Sequence, residues 1–222
     1  MMIFKEFYEP RFIDDFKFEI KSFIGRTIFK RKSKITAIYS NPLLVDIGVG
    51  GNYKEKWVHI DFYRIRIKFW KKKIMPRPEV ETDLRYPLNC EDDIVDGVYS
   101  GHTLEHLYPN QAINLLKEIY RVLKPGCWLR INVPDLKYSV DFYNGYRKSD
   151  KYKYGAEAIC NLALNWGHHS VWDEELLIYA LEKCGFINVK TVEYGKNGND
   201  KRLIKEEEIR RTGTIVIEAQ KK

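Results

Sequence analysis

Two aspartates, Asp46 and Asp61, each lie at the end of a short apolar segment that is typical of a buried strand. Gly48 and Gly50 follow the first of them, and glycine lets the backbone turn tightly and approach a ligand closely. Asp61 lies where an α/β sheet usually meets a ribose, and a carboxylate accepts hydrogen bonds from both hydroxyls of a vicinal diol. The pattern indicates a pocket for a nucleoside-bearing cofactor.

The glycine loop departs from two phosphate-binding patterns. A dinucleotide site requires G-x-G-x-x-G, and here Tyr53 stands in the third glycine position. The G-x-x-x-x-G-K-[ST] pattern of a phosphate loop is absent. Asp46 precedes the turn by two residues, where a carboxylate repels a phosphate and favours a cationic ligand. These features disfavour NAD and ATP and favour S-adenosylmethionine, which carries an α-amino group and a sulfonium.

The chain from about Pro42 to Val189 resembles the class I S-adenosylmethionine-dependent methyltransferases, and in particular the small, type 11-like branch often found with surface-polysaccharide genes. That branch shares the short step of 15 positions from Asp46 to Asp61, which leaves too few residues for a full helix. The motifs that carry the resemblance are Asp46-Ile47-Gly48-Val49-Gly50, Trp57-Val58-His59-Ile60-Asp61, Asp83-Leu84, Ser100-Gly101-His102-Thr103-Leu104-Glu105-His106-Leu107, Glu118–Gly126, Val133-Pro134-Asp135-Leu136 and Gly185-Phe186.

The resemblance implies two groups of ligands for the cofactor. At the methionine and ribose end, Asp46, Gly48 and Gly50 would cradle the methionine part and Asp61 would bind the ribose.

The second group would hold the base and the sulfonium. Asp83 would accept a hydrogen bond from the adenine amino group, and the backbone N–H of Leu84 would meet a ring nitrogen. Ser100 and Gly101 would line the pocket near the sulfonium.

Strands alternate with helices along the chain, which predicts an α/β fold. The helix expected at 109–123 is the strongest, and the strands expected at 186–194 and 213–219 are close enough in sequence to form an antiparallel hairpin at the sheet edge. The family fold agrees: a Rossmann-like, mostly parallel sheet of seven strands with a C-terminal antiparallel hairpin and helices on both faces.

Three regions follow from composition. Residues 1–34 form a basic, aromatic N-terminal arm, with seven basic residues and one acidic residue between Lys17 and Lys34. Residues 35–222 form the methyltransferase domain, within which 137–169 is an inserted segment that should cover the acceptor. The arm is expected to pack on the domain or on a second subunit, or to contact an anionic membrane or a phosphorylated substrate.

Transfer of a methyl group to a hydroxyl requires a base near the acceptor. His102 follows the fourth strand at the carboxyl edge of the sheet, and His169 follows the insertion, so these two are the preferred bases, although either could instead orient the substrate or serve the fold. His106 lies four residues after His102, a spacing that could hold a metal, but no further ligand is obvious and no metal is expected.

The acceptor is the least determined part of the function. Aromatic side chains in the insertion and basic runs elsewhere favour O-methylation of a sugar or phosphorylated glycan precursor. The net charge of +7 is compatible with an RNA methyltransferase as an alternative, although no RNA-binding module is recognisable in the sequence. A non-catalytic, cofactor-binding partner subunit is the third alternative, and a homodimer is compatible with each.

The four cysteines are far apart and show no CxxC spacing, which favours reduced thiols in a cytosolic protein. No segment approaches 18 consecutive apolar residues, so neither a spanning helix nor a signal peptide is expected. The predicted location is the cytoplasm.

Overall fold

The computed structural model describes residues 12–28, 34–36, 40–63, 77–149, 151–196 and 198–222. Seven strands in this part of the chain form one sheet, in the order β3-β2-β1-β4-β5-β7-β6. The strands are β1 (Leu44–Ile47), β2 (Val58–Asp61), β3 (Val80–Glu81), β4 (Gly97–Gly101), β5 (Trp128–Pro134), β6 (Phe186–Thr191) and β7 (Thr214–Lys221). The helices are α1 (Phe12–Ile28), α2 (Pro109–Val122), α3 (Leu136–Tyr143), α4 (Gly155–Leu164) and α5 (Glu174–Lys183).

The sheet confirms the predicted Rossmann-like class. Strands β1 to β5 run parallel to one another, and β7 is antiparallel to both β5 and β6. The C-terminal hairpin is therefore present, with β7 lying inside the sheet and β6 at its edge. Because β1, β2 and β4 run in the same direction, the residues that follow them meet at one edge.

Alternate residues of β1 explain the two packed faces of the sheet. Val45 and Ile47 join a large apolar core to which α2 contributes Leu116 and α5 contributes Leu177. On the other face Leu44 packs in a smaller cluster with three further buried side chains, namely Trp57, Tyr99 and Leu203. This second cluster is completed by the loop between β6 and β7, which thereby reaches the middle of the sheet.

The helix predicted at 109–123 forms as α2. Pro109 begins α2, and Asp173 caps α5 by accepting a hydrogen bond from the Leu176 backbone N–H at 2.9 Å. The expected helical insertion consists of α3 and α4, which pack against each other. Residues 48–57 between β1 and β2 contain no helix, in agreement with the short spacing there.

The N-terminal arm is described only over α1 and the residues 34–36. The basic run at 64–77 lies outside the described residues except for Arg77. None of the helices described is both long and apolar enough to cross a membrane.

Candidate active site

A cavity of about 930 Å³ opens where β1, β2 and β4 end. The residues that the sequence singles out and that line it are Asp46, Gly48, Gly50, Asp61, Asp83, Leu84, Gly101, His102 and His169. Ser100 is not among the lining residues, because successive strand residues point to opposite faces and Tyr99 and Gly101 take the cavity side. Ser100 is 1% exposed in β4, and its contact with the cofactor near the sulfonium stays a prediction.

The glycine loop forms one wall of the cavity. Gly48 has a φ of +74° and Gly50 a φ of +60°, a backbone region that favours glycine. A side chain at Gly48 would also collide with Thr103, whose hydroxyl donates to the Ile47 carbonyl at 3.0 Å. Nothing lies within 4 Å of the position that a Cβ would occupy at Gly50. The loop therefore presents bare backbone to the cavity.

Asp46 is ion-paired inside the cavity wall with Lys205, whose Nζ donates to the carboxylate. The same Nζ donates to the Asn52 carbonyl at 2.5 Å, and both charged side chains are almost fully buried. Burial raises the pKa of Asp46, and the charge of Lys205 offsets part of that rise. Sequence reasoning missed Lys205, because it lies in the charged loop after β6, which looks like a solvated segment.

Asp61 ends β2, and its Oδ1 accepts a hydrogen bond from the backbone N–H of Phe62 at 2.7 Å. The ring of Phe62 stacks on that of Phe18 from α1, with centroids 4.1 Å apart and planes 12° apart. Phe18 also lines the cavity. Helix α1 thus contributes to the same part of the cavity as the candidate ribose ligand.

The carboxylate of Asp83 contacts both Arg85 and helix α1. Its oxygens accept hydrogen bonds from Arg85, the shortest at 2.7 Å, and from the Ser22 hydroxyl at 2.5 Å. Arg85 also pairs with Glu19 of α1 at 2.5 Å. Burial works to raise the pKa of Asp83, but the hydrogen bonds from Arg85 and Ser22 outweigh it and the pKa is lowered. Both carboxylate oxygens thus have partners, and its contact with adenine stays a prediction.

His102 contacts two groups through its ring. Its Nε2 lies 3.2 Å from the Thr214 hydroxyl, which itself donates to the Arg210 carbonyl. The hydroxyl proton is thereby used, so Nε2 of His102 must carry a proton and donate. Its Nδ1 then faces the Glu105 carboxylate, with Oε1 3.2 Å away. A protonated Nδ1 would face this carboxylate with a hydrogen, whereas an unprotonated Nδ1 would face it with a lone pair.

Glu105 lies in a 3-10 turn (Leu104–His106) between β4 and α2. It is 1% exposed, and neither carboxylate oxygen accepts a hydrogen bond from any described residue. The rings of His106 and His168 lie nearby, edge to face with centroids 5.0 Å apart. Burial lowers the pKa of His168, which keeps its imidazole neutral.

His169 lines the cavity next to the turn after β4. Its ring stacks on Tyr108 with centroids 4.4 Å apart, and its backbone N–H donates to the Glu105 carbonyl at 2.8 Å. These contacts bring the end of the insertion to the turn after β4. His102 and His169, 67 positions apart in the sequence, therefore lie in the wall of one cavity.

Most of the insertion lies away from this wall. Within the described part of 137–169, the lining residues are Gly167 and His169. The aromatic side chains considered for stacking on an acceptor do not line the cavity, and several are largely exposed: Tyr143, Tyr146, Tyr154 and Trp166. A covering role for 137–169 stays a prediction.

Comparison with known proteins agrees with this geometry. Residues 45–131 match the family described as a methyltransferase domain, and this match spans the glycine loop and both acidic strand ends. These residues carry a methyltransferase domain of the class I S-adenosylmethionine-dependent type. The protein is accordingly an enzyme, with S-adenosylmethionine as its cofactor.

Solved structures show the same fold. A SAM-dependent methyltransferase from Archaeoglobus fulgidus is 22% identical, with a TM-score of 0.52 over 96% of this chain and 100% of that one. Another from Aquifex aeolicus is 16% identical, with a TM-score of 0.47 over 97% and 100%. Phosphoethanolamine N-methyltransferase 2 of Haemonchus contortus, solved with S-adenosyl-L-methionine, is 14% identical, with a TM-score of 0.45 over 93% and 57%. No curated protein matches the chain.

The residues in the cavity wall fit this cofactor. The methionine end of S-adenosylmethionine is a zwitterion, and the wall offers the carboxylate of Asp46 and the ammonium of Lys205. Bare backbone at Gly48 and Gly50 leaves space for close approach, and the carboxylate of Asp61 in the wall would suit ribose hydroxyls. When bound, the cofactor supplies an electrophilic methyl group.

Proposed function

We propose that this methyltransferase transfers the methyl group to a hydroxyl oxygen of a sugar or phosphorylated glycan precursor. The observation that carries the proposal is the presence of His102 and His169 in the wall of the cofactor cavity. A hydroxyl must lose its proton as its oxygen bonds to the methyl carbon, and an imidazole is the side chain best suited to accept that proton near neutral pH.

The charge of the cavity wall supports a sugar over RNA. Among the described residues, seven acidic side chains line it, Asp14, Asp15, Glu19, Asp46, Asp61, Asp83 and Glu207, against three basic ones, Arg85, Lys205 and Arg210. Each of the three basic residues pairs with a carboxylate. A wall with this balance repels a polyanion, whereas uncharged sugar hydroxyls bind well to carboxylates and imidazoles. A phosphate of the precursor would therefore lie outside this wall.

For the cofactor, we propose that Asp46 and the glycine loop hold the α-amino group and that Lys205 holds the α-carboxylate. Asp61 would bind the ribose hydroxyls. Asp83 and the Leu84 backbone N–H would meet the adenine, with the Asp83 carboxylate shared between the base and Arg85. The single assumption behind these roles is that the cofactor lies along the carboxyl edge of β1, β2 and β3.

We further propose that α1 brings the enzyme to an anionic membrane, where lipid-linked glycan precursors are found. Ile13, Ile20 and Phe23 share one side of α1 and are 65%, 43% and 62% exposed. Lys17, which pairs with Asp14 at 3.7 Å, and Lys21 lie along one edge of this apolar side. Apolar side chains beside lysines fit the interface of a bilayer with anionic headgroups. The four cysteines are free thiols, which fits the cytoplasmic side.

The function is tested by a screen of acceptors with S-adenosylmethionine labelled in its methyl group. Nucleotide sugars, lipid-linked glycans and bulk RNA are offered in parallel, and the labelled product is analysed for an O-methyl sugar. We expect label in the sugar acceptors and none in RNA. Label confined to RNA, or to nitrogen atoms, would contradict the proposal.

A further inference from the structure

The buried carboxylate of Glu105 has no hydrogen-bond donor among its described neighbours. Its side chain is 2% exposed, and no described donor forms a hydrogen bond with either oxygen. Burial of a carboxylate is costly unless a cation or several donors compensate it. His102 Nδ1 lies 3.2 Å from one of these oxygens but forms no hydrogen bond with it.

Two imidazoles lie within reach of the same carboxylate. One ligand atom each from Glu105, His106 and His168 lie within 4.8 Å of one another. Nδ1 of His168 donates to the Leu162 carbonyl at 2.6 Å, which leaves the lone pair of Nε2 free to bind an ion. A histidine held by a carbonyl in this manner has the usual arrangement of a metal ligand.

We propose that Glu105, His106 and His168 bind a divalent transition-metal ion at the acceptor end of the cavity. Two imidazoles and one carboxylate are a ligand set used for Zn²⁺ in hydrolytic enzymes and for non-haem Fe²⁺. These three ligands are not evident from the sequence, because His168 follows His106 by 62 positions. The two residues come together only because the chain turns back after α4.

The position of the site relative to the cavity gives the ion open coordination positions. His106 is exposed and lines the cavity, whereas Glu105 is buried behind it and His168 is half-buried. Three protein ligands on one side leave the other side of the ion directed to the acceptor space. Such a site can bind an oxygen of the acceptor.

This role of the ion rests on the proposed O-methyl transfer. A hydroxyl bound to a divalent cation loses its proton more readily, here to the His169 imidazole. A lone pair of the oxygen then forms the bond to the methyl carbon. The carbon–sulfur bond breaks with its electron pair going to sulfur, which turns the sulfonium into a neutral thioether.

Metal binding is tested directly, without an acceptor. The full chain is treated with a chelator, and Co²⁺ is titrated while the visible absorption and the heat of binding are recorded. We expect one Co²⁺ per chain with the spectrum of nitrogen and oxygen ligands. A thiolate charge-transfer band would place the ion on a cysteine and overturn the proposal, as would an absence of binding.

Variants locate the ion. Glu105→Gln and His168→Ala should each weaken Co²⁺ binding at least tenfold, and His106→Ala should do the same. Because His106 is exposed, H106A keeps the test decisive where a buried variant does not fold. His169→Ala is the matched control, since it removes an imidazole from the same wall and should leave Co²⁺ affinity unchanged. Equal affinity in all four variants would overturn the assignment.

The outcome separates this inference from the proposed function. Methylation of a sugar by a chain that binds no Co²⁺, and that works unchanged in chelator, contradicts the metal site alone. Co²⁺ binding that depends on Glu105 and His106, in an enzyme that methylates no sugar hydroxyl, supports the site and contradicts the acceptor.

Discussion

Lys205 donates a hydrogen bond to Asp46 across 159 positions of sequence and places a buried ammonium against the carboxylate that precedes the glycine loop. The pair changes what Asp46 can do. A lone carboxylate would attract any cation, whereas a carboxylate beside an ammonium matches both charges of an α-amino acid. The C-terminal loop thus supplies part of the cavity wall.

We expect Lys205→Met to weaken S-adenosylmethionine binding at least tenfold, because the α-carboxylate loses its cation. The substitution also leaves Asp46 buried without its counter-charge, which should lower the free energy of unfolding by about 3 kcal/mol. Calorimetric titration measures the first effect and denaturant unfolding the second. Lys201→Met, in the same loop but exposed, is the control.

A double substitution separates the two effects of Lys205. Asp46→Asn combined with Lys205→Met removes both charges, so most of the lost stability should return while cofactor binding stays weak. Full cofactor affinity in the double variant would show that neither charge contacts the methionine part.

Asp61→Ala should abolish measurable S-adenosylmethionine binding, because the ribose hydroxyls lose their acceptor. Glu55→Ala, an exposed carboxylate in the preceding loop, should bind normally. Titration calorimetry with both variants checks this at one protein concentration. No heat from the wild-type chain would contradict the cofactor site itself.

Substitution of His102 or His169 should lower turnover, whereas substitution of a cofactor ligand should weaken cofactor binding. His102→Ala or His169→Ala should lower kcat by about 100-fold while S-adenosylmethionine binding is retained, because loss of a general base typically costs that much or more. Single-turnover assays with the acceptor found in the screen measure this. If both variants keep full activity, neither histidine is the base.

Local pattern explains which parts of the site could be predicted. Asp46, Gly48 and Asp61 lie within one strand–turn–strand unit. Their spacing in the sequence is therefore enough to place them at the same edge of the sheet. Lys205 and His168 reach the site only through the packing of distant loops, and no local signal marks them. The strand that carries Ser100 was predicted, whereas the side of that strand that faces the cavity depends on the packing of the sheet.

The lowered pKa of Asp83 predicts a pH-dependent contribution to stability. A carboxylate with a lowered pKa in the folded state stabilises the fold above its unfolded pKa, about 3.9, and loses that contribution as pH falls through the lower folded value. Asp83→Asn should therefore cost most near pH 7 and progressively less below pH 4. Denaturant unfolding of wild type and variant across this range measures the difference.

Glu91→Gln serves as the comparison for Asp83, because it removes an exposed carboxylate that pairs with Lys34 at 3.3 Å. Its effect on unfolding should be small at every pH. A cost for Asp83→Asn that does not change between pH 7 and pH 3 would mean that Ser22 and Arg85 do not stabilise the charged form.

Helix α1 joins the cofactor cavity to the proposed membrane surface, because Phe18 and Glu19 face the cavity while Ile13 and Phe23 point outward. Phe23→Asp and Ile13→Asp should each reduce co-sedimentation with vesicles of phosphatidylglycerol several-fold, since a charge replaces an apolar contact. Leu176→Asp, which changes an exposed leucine on α5, should leave it unchanged. Binding to neutral phosphatidylcholine vesicles should be weak and insensitive to salt.

The alternative is that this side of α1 contacts a second copy of the chain. In that case light scattering would show a dimer that dissociates in Phe23→Asp, and all variants would bind vesicles equally. This result would contradict the membrane proposal.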